Sequence, residues 1–166
     1  ETQLATDRRR VMETMWQQRL DSMTRRVDHW QEVLAVRALL LPADRQLDDW
    51  LTFSRMLQKE DRPLQSQRVL AQLLGVSAGA LVDVKSHPAV LTGTGPRVYY
   101  HYLHLQWTLG HKQFAIDQLR TLTAHLGSDT TAMQSALLAR CHLKLGEWQY
   151  QQLEGGQPFD LKVLQE

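Results

Sequence analysis

The sequence predicts an all-α fold, an α-solenoid of antiparallel, tetratricopeptide-like helix pairs, on three observations. Apolar residues recur at helical spacing along most of the chain. Gly and Pro fall where helices would end or begin. β-Branched residues are sparse, and no alternating run has turn signals at both ends.

Taken in order, Met12, Trp16, Leu20 and Met23 form one helical stripe, and Val27, Trp30, Leu34, Ala38 and Leu41 a second. Ser22 or Thr24 is the expected cap of the second helix. Pro42 is expected to end the run, because proline lacks an N–H and disfavours helical geometry before it. Asp44 or Asp48 then caps a helix carrying Leu47, Trp50, Leu51, Ser54 and Leu57. Asp61-Arg62-Pro63 makes a turn with Pro63 at a first helical position, and Leu64–Leu74 follows, stopped by Gly75. Between residues 76 and 96 the pattern dissolves into a loop between repeats, with one short helical turn inside it. Pro96 opens a helix through Tyr99, Leu103 and Trp107 to Gly110. Its partner runs through Phe114, Ile116, Leu119, Leu122 and Leu126 to Gly127. Ser128 or Asp129 caps a helix with Leu137, Leu138, Cys141 and Leu145, closed by Gly146, and Trp148 and Leu153 fall on a short helix after it.

The helices pair. Trp50 and Ser54, then Ser66, Leu70 and Leu73, echo Tyr99 and Leu103, then Ala115, Leu119 and Leu122; a third echo starts at Leu138 and Ala139 and turns at Gly146. A small residue near the start of each second helix lets the pair approach closely, and each pair needs neighbours to cover its remaining apolar surface. The whole of 1–166 therefore reads as one helical-repeat segment. Glu1-Thr2-Gln3-Leu4 has no initiator Met and no signal-peptide pattern, and Phe159–Leu164 has the spacing of a helix just starting. Both ends read as cut from a longer protein.

Composition excludes several functions. Nineteen Lys and Arg stand against 18 Asp and Glu, which leaves no overall basic footprint for nucleic acid. No apolar run approaches a membrane span. A single cysteine, Cys141, permits neither an internal disulfide nor a cysteine zinc cage and fits a reducing compartment. It lies on an apolar stripe, where a thiol is inert. Of the seven histidines, His101 and His104 are three apart on one helix but have no accompanying acid, so a metal centre is not expected. Leu91–Arg97 is Gly-rich yet follows no strand and lacks a Gly-Lys-Ser/Thr ending, so it reads as a flexible loop. Arg8-Arg9-Arg10 reads as a solvated face. Arg140 and Lys144, four apart, share the helix of the Leu137–Cys141–Leu145 stripe; such a pair is more often simply solvated, but it is also what a phosphate-rich ligand would need.

The stretch Ala139-Arg140-Cys141-His142-Leu143-Lys144-Leu145-Gly146-Glu147-Trp148-Gln149 resembles a signature of the FAT domain of target-of-rapamycin (TOR) kinases, within the phosphatidylinositol-3-kinase-related family. Asp28-His29-Trp30-Gln31-Glu32-Val33-Leu34-Ala35-Val36-Arg37 is similar to that family's Trp-Gln helix, and Trp50-Leu51 with Leu73-Leu74-Gly75-Val76 to the helix pair after it. The resemblance implies a cytoplasmic, non-catalytic scaffold, contacting a downstream Ser/Thr kinase domain, neighbouring repeats and TOR-complex subunits. It also implies an inositol hexakisphosphate pocket whose cations fall here on Arg25, Lys59, Arg140 and Lys144. Thr52 stands where the family carries a lysine, and another family cation would come from beyond Glu166. No other cofactor is implied. The competing reading is a free-standing tetratricopeptide-like module that holds a partner peptide with Tyr99, Tyr102 and the loop near His87-Pro88.

Overall fold

The computed structural model describes residues 3–41, 43–77, 79, 81–127 and 132–155. Among these the chain is all-α: α1 (Gln3–Ser22), α2 (Val27–Ala38), α3 (Leu47–Lys59), α4 (Pro63–Leu74), α5 (Gly95–Thr108), α6 (Lys112–Leu126) and α7 (Ala132–Gly155). Short 3-10 turns at Ala43–Gln46 and Pro88–Leu91 join them. The fold is a helical repeat of pairs joined by tight turns. The chain divides into two compact units, 1–66 and 67–166.

In the first unit α2 packs on α3, and its core is Leu20, Val27, Trp30, Leu34, Leu47, Leu51, Phe53 and Leu57. The period that marked all of these residues but Phe53 in the sequence thus marks much of the buried face, although Met12 of the first stripe and Ala38 of the second are exposed. Ser66, in the first turn of α4, is fully buried; its Oγ lies 2.8 Å from Ser54 Oγ and donates to the Ser54 carbonyl at 3.1 Å. The small residue expected at that point is what permits the approach.

α3, α4 and α5 end in one way. Asp61, Gly75 and Gly110 take positive φ values of 58°, 68° and 95°. The following N–H reaches back to the carbonyl five residues earlier: Arg62 to Leu57 at 2.8 Å, Val76 to Ala71 at 3.0 Å, His111 to Gln106 at 3.0 Å. This Schellman closure satisfies last-turn carbonyls, and glycine suits it because it has no Cβ to clash; Asp is among the side chains that tolerate it best.

The expected N-caps differ from those observed. Arg26 precedes α2 without a side-chain cap; Ser22 Oγ donates to the Arg19 carbonyl instead, and the Thr24 carbonyl accepts the Arg26 N–H. The Val27 N–H points to Glu60 Oε1 at 3.4 Å, so the cap comes from the residue that closes α3. Gln46, not Asp48, precedes α3, because the 3-10 turn runs straight into the helix. Pro42, the side chain of Asp44, Ser128, Asp129 and the Phe159–Leu164 stretch lie outside the described residues.

In the second unit α5 packs on α6 and α6 on α7. Ala115, near the start of α6, is fully buried, the counterpart of Ser66. α7 corrects one expectation: it is a single helix of 24 residues that passes through Gly146 without a break. A mid-helix glycine costs only about 1 kcal/mol relative to alanine. Continuing the helix carries Trp148 into the core, where it is 2% exposed, and burying a large side chain outweighs that cost.

The long connection before α5 is anchored. Tyr99 and Tyr102 are fully buried, which overturns their expected role as contacts for a partner peptide. Tyr99 Oη donates to the Val82 carbonyl at 2.7 Å and lies 3.0 Å from Gln118 Oε1, so its proton is shared between two acceptors. Tyr102 Oη accepts the Val82 N–H at 3.1 Å, and Gln118 Oε1 accepts the Val84 N–H at 3.1 Å. The two rings stack 5.8 Å apart. Both hydroxyls serve buried loop backbone, which would otherwise be left without partners. Gly95 is needed for contact rather than flexibility: a Cβ there would lie 2.2 Å from the Val90 carbonyl oxygen.

Burial raises the Tyr99, Tyr100 and Tyr102 hydroxyls above the ordinary phenol value and pushes the Cys141 thiol up to about 12. From about pH 9–10 upward the unfolded chain gives up protons that the folded chain keeps, so stability present below that range falls as pH rises. Melting points of the second unit are expected to decline through this window, and Tyr99→Phe to flatten the decline. A profile level to about pH 11 would contradict this.

Candidate anion-binding site

The face of α3 that carries Thr52, Arg55, Met56 and Lys59 follows from helical spacing, since residues three and four apart stack on adjacent turns. Arg25 comes to this face from the α1–α2 connection. The buried side chain of Val27 and the bond of its N–H to Glu60 fix where α2 begins, and hence where Arg25 lies. Arg25, Thr52, Arg55, Met56, Lys59 and Glu60 line one cleft of about 470 Å³. Two of the four cations expected from sequence, Arg25 and Lys59, thus share a cleft, and the substituted position Thr52 is on its wall.

The charges in the cleft are unevenly matched. Glu60 is engaged: Arg62 Nη2 lies 3.6 Å from its Oε2, and Oε1 accepts the Val27 N–H. Arg62 also reaches Asp28 at 3.4 Å. Among the described residues, Arg25, Arg55 and Lys59 form no ion pair. Arg55 is a third cation that the sequence reading passed over. Its signal was present, three residues after Thr52 and four before Lys59 on the same helix.

Arg140 and Lys144 lie in the second unit, one turn apart on α7, with Arg140 exposed and Lys144 partly buried. Lys144 pairs with Glu147, one turn on, so its charge is partly matched. α5 presents Tyr100 and His104 to their field. Burial raises the Tyr100 hydroxyl, and Lys144 and Arg140 oppose that rise. Burial first, and Lys144 second, hold His104 below the usual imidazole value. His104 tilts against Trp148, and His101 meets Tyr100 edge-on. Among the described residues, no three His, Cys, Asp or Glu side chains are grouped to hold a metal ion. Nor is any described helix long and apolar enough to cross a membrane.

The signature residues have structural work as well. Trp148 stacks face to face on Trp107, with centroids 4.6 Å apart and planes within 1°, and Lys112 Nζ lies 5.4 Å over the Trp107 ring. Arg37, the last residue of the Trp-Gln motif, is buried and meets Asp49 of α3 at 3.1 Å.

A family profile of the FAT domain matches residues 2–157. The serine/threonine-protein kinase TOR of Arabidopsis thaliana is 34% identical over 89% of this chain, and that of Oryza sativa 32% identical over 89%. The serine/threonine-protein kinase TOR2 of Saccharomyces cerevisiae is 28% identical over 86%. The chain spans about 6% of the length of each of these relatives. With the Leu-Gly-Glu-Trp-Gln signature in place on α7 and the all-α repeat beneath it, the chain belongs to the FAT domain family, as a non-catalytic segment of the kind carried by TOR kinases.

Proposed function

We propose that this segment is a cytoplasmic scaffold within a TOR-like serine/threonine kinase, supporting the kinase domain of the parent chain and binding inositol hexakisphosphate as a structural ligand. The observation that carries the ligand reading is the cleft in which Arg25 and Lys59 meet with no described carboxylate paired to either. Cations gathered without counter-charge repel one another, and a polyanion removes that repulsion while accepting charge-assisted hydrogen bonds. Arg140 and Lys144 enter through the family resemblance and through their shared face of α7. Such a ligand stabilises the folded form by mass action, by about 2.7 kcal/mol at a hundredfold excess over Kd. Neighbouring repeats of the parent chain and TOR-complex subunits are the partners this role implies.

Inositol hexakisphosphate is expected to raise the melting point of the wild-type chain. Both Arg25→Ala/Lys59→Ala and Arg140→Ala/Lys144→Ala should show smaller shifts. Equal shifts in all three proteins would sink the proposal. His104 gives a second readout: an anion that neutralises Lys144 removes a repulsion from the imidazolium, so the His104 titration midpoint should move upward on binding, followed by NMR.

A further inference from the structure

We infer that Arg55 is a phosphate-binding residue of this cleft, taking over the task of the lysine that the family carries where this chain has Thr52. The inference rests on the inositol phosphate reading above and adds to it a residue outside the four cations of the family pattern. Arg55 stands one turn beyond Thr52 and one turn before Lys59, so all three share a face of α3, and all three line the cleft with Arg25. Its Nη2 donates to Thr52 Oγ1 at 3.1 Å, which folds the guanidinium back over the turn that holds Thr52. The positive charge missing from position 52 is therefore supplied from position 55.

The remaining donors of Arg55 support the same conclusion. A guanidinium carries five N–H donors, and the neutral Thr52 hydroxyl takes one. No described carboxylate pairs with Arg55, and Glu60, the acid of the cleft lining, already faces Arg62 and the Val27 N–H. A cation held beside Arg25 and Lys59 on these terms is set up for an anion with several oxygens. The exchange of residue type also alters recognition. Arginine grips a phosphate through two parallel N–H···O bonds, whereas lysine acts as a point charge. Removing the fork should therefore lower affinity even where the charge is kept.

Calorimetric titration of inositol hexakisphosphate into the 166-residue chain, at two salt concentrations, tests this. Arg55→Ser is expected to weaken binding by about tenfold and to reduce its salt dependence. Arg55→Lys should fall between wild type and Arg55→Ser. Adding Thr52→Lys to Arg55→Ser should recover most of the lost affinity, an outcome that a purely structural role for Arg55 does not produce. Arg55 is exposed, so unliganded melting points should match wild type; Arg55→Gln, which keeps the stem, provides the same test if serine perturbs the helix. Wild-type binding that weakens in Lys59→Ala but not in Arg55→Ser or Arg55→Gln overturns the Arg55 inference and leaves the ligand reading intact. No binding by wild type overturns both.

Discussion

Asp49→Ala is expected to destabilise the first unit by about 3–5 kcal/mol, the cost of leaving a buried charge without its partner. Arg37 is 3% exposed, and Asp49 Oδ2 lies 3.1 Å from its Nη1. The contact is an ion pair set off the hydrogen-bonding axis, and Arg37 Nε has no partner among the described residues. Asp49 is the charge that makes the burial of Arg37 tolerable. It also accepts the Gln17 amide at 3.2 Å, which joins α1 to the pair. Hydrogen exchange of α2 and α3 amides should report the loss directly. Replacing both partners with apolar residues of similar volume, Arg37→Met with Asp49→Leu, should recover most of the stability, because no orphaned charge remains. A single Asp49→Ala variant within about 1 kcal/mol of wild type would show that Arg37 reaches water, contrary to its burial here.

Trp148→Ala should have a comparable effect in the second unit, about 3–5 kcal/mol, from the lost burial and the cavity left behind. Trp148 and Trp107 stack almost in parallel, so part of the loss is a specific ring–ring contact of about 0.5–1.5 kcal/mol. Trp148→Phe should retain more than half of the stability while removing the indole–indole geometry. The two variants separate in near-ultraviolet circular dichroism, where a stacked indole pair gives a coupled signal that both substitutions abolish. An unchanged spectrum in either would show that the rings do not stack in solution.

The helices were legible because most bury a stripe whose period the sequence repeats, as in Leu137, Cys141 and Leu145. Turn chemistry was legible where it is local: Pro63 at a first helical position and Gly75 at a left-handed stop both act through their own backbone. What escaped depends on residues distant in the chain. The cap of α2 is Glu60, thirty-three residues from Val27, and no local pattern points to it. Gly146 carried the usual stop signal, but the contact of Trp148 with Trp107 decides the outcome. Tyr99 and Tyr102 were candidate contacts only under the competing peptide-binding reading; the partner of their hydroxyls is the loop backbone. In the candidate site, Arg25 and Lys59 came from a family pattern, which by construction omits a charge that has moved by one turn. Only the helical geometry recovers Arg55.

The anchoring of Val82 and Val84 has a consequence for how this chain meets a protease. A protease must draw several residues into an extended strand, and a connection as long as that between α4 and α5 would ordinarily offer many such stretches. Here the tyrosine and glutamine bonds divide the connection. Extracting the stretch around Val82 requires breaking buried hydrogen bonds to α5 and α6, whereas the exposed residues Ser77 and Thr92–Thr94 carry no such penalty. Limited digestion is therefore directed away from Val82 and Val84 and toward the exposed residues of the connection, and the anchored stretch is cut only at the rate at which the second unit itself opens.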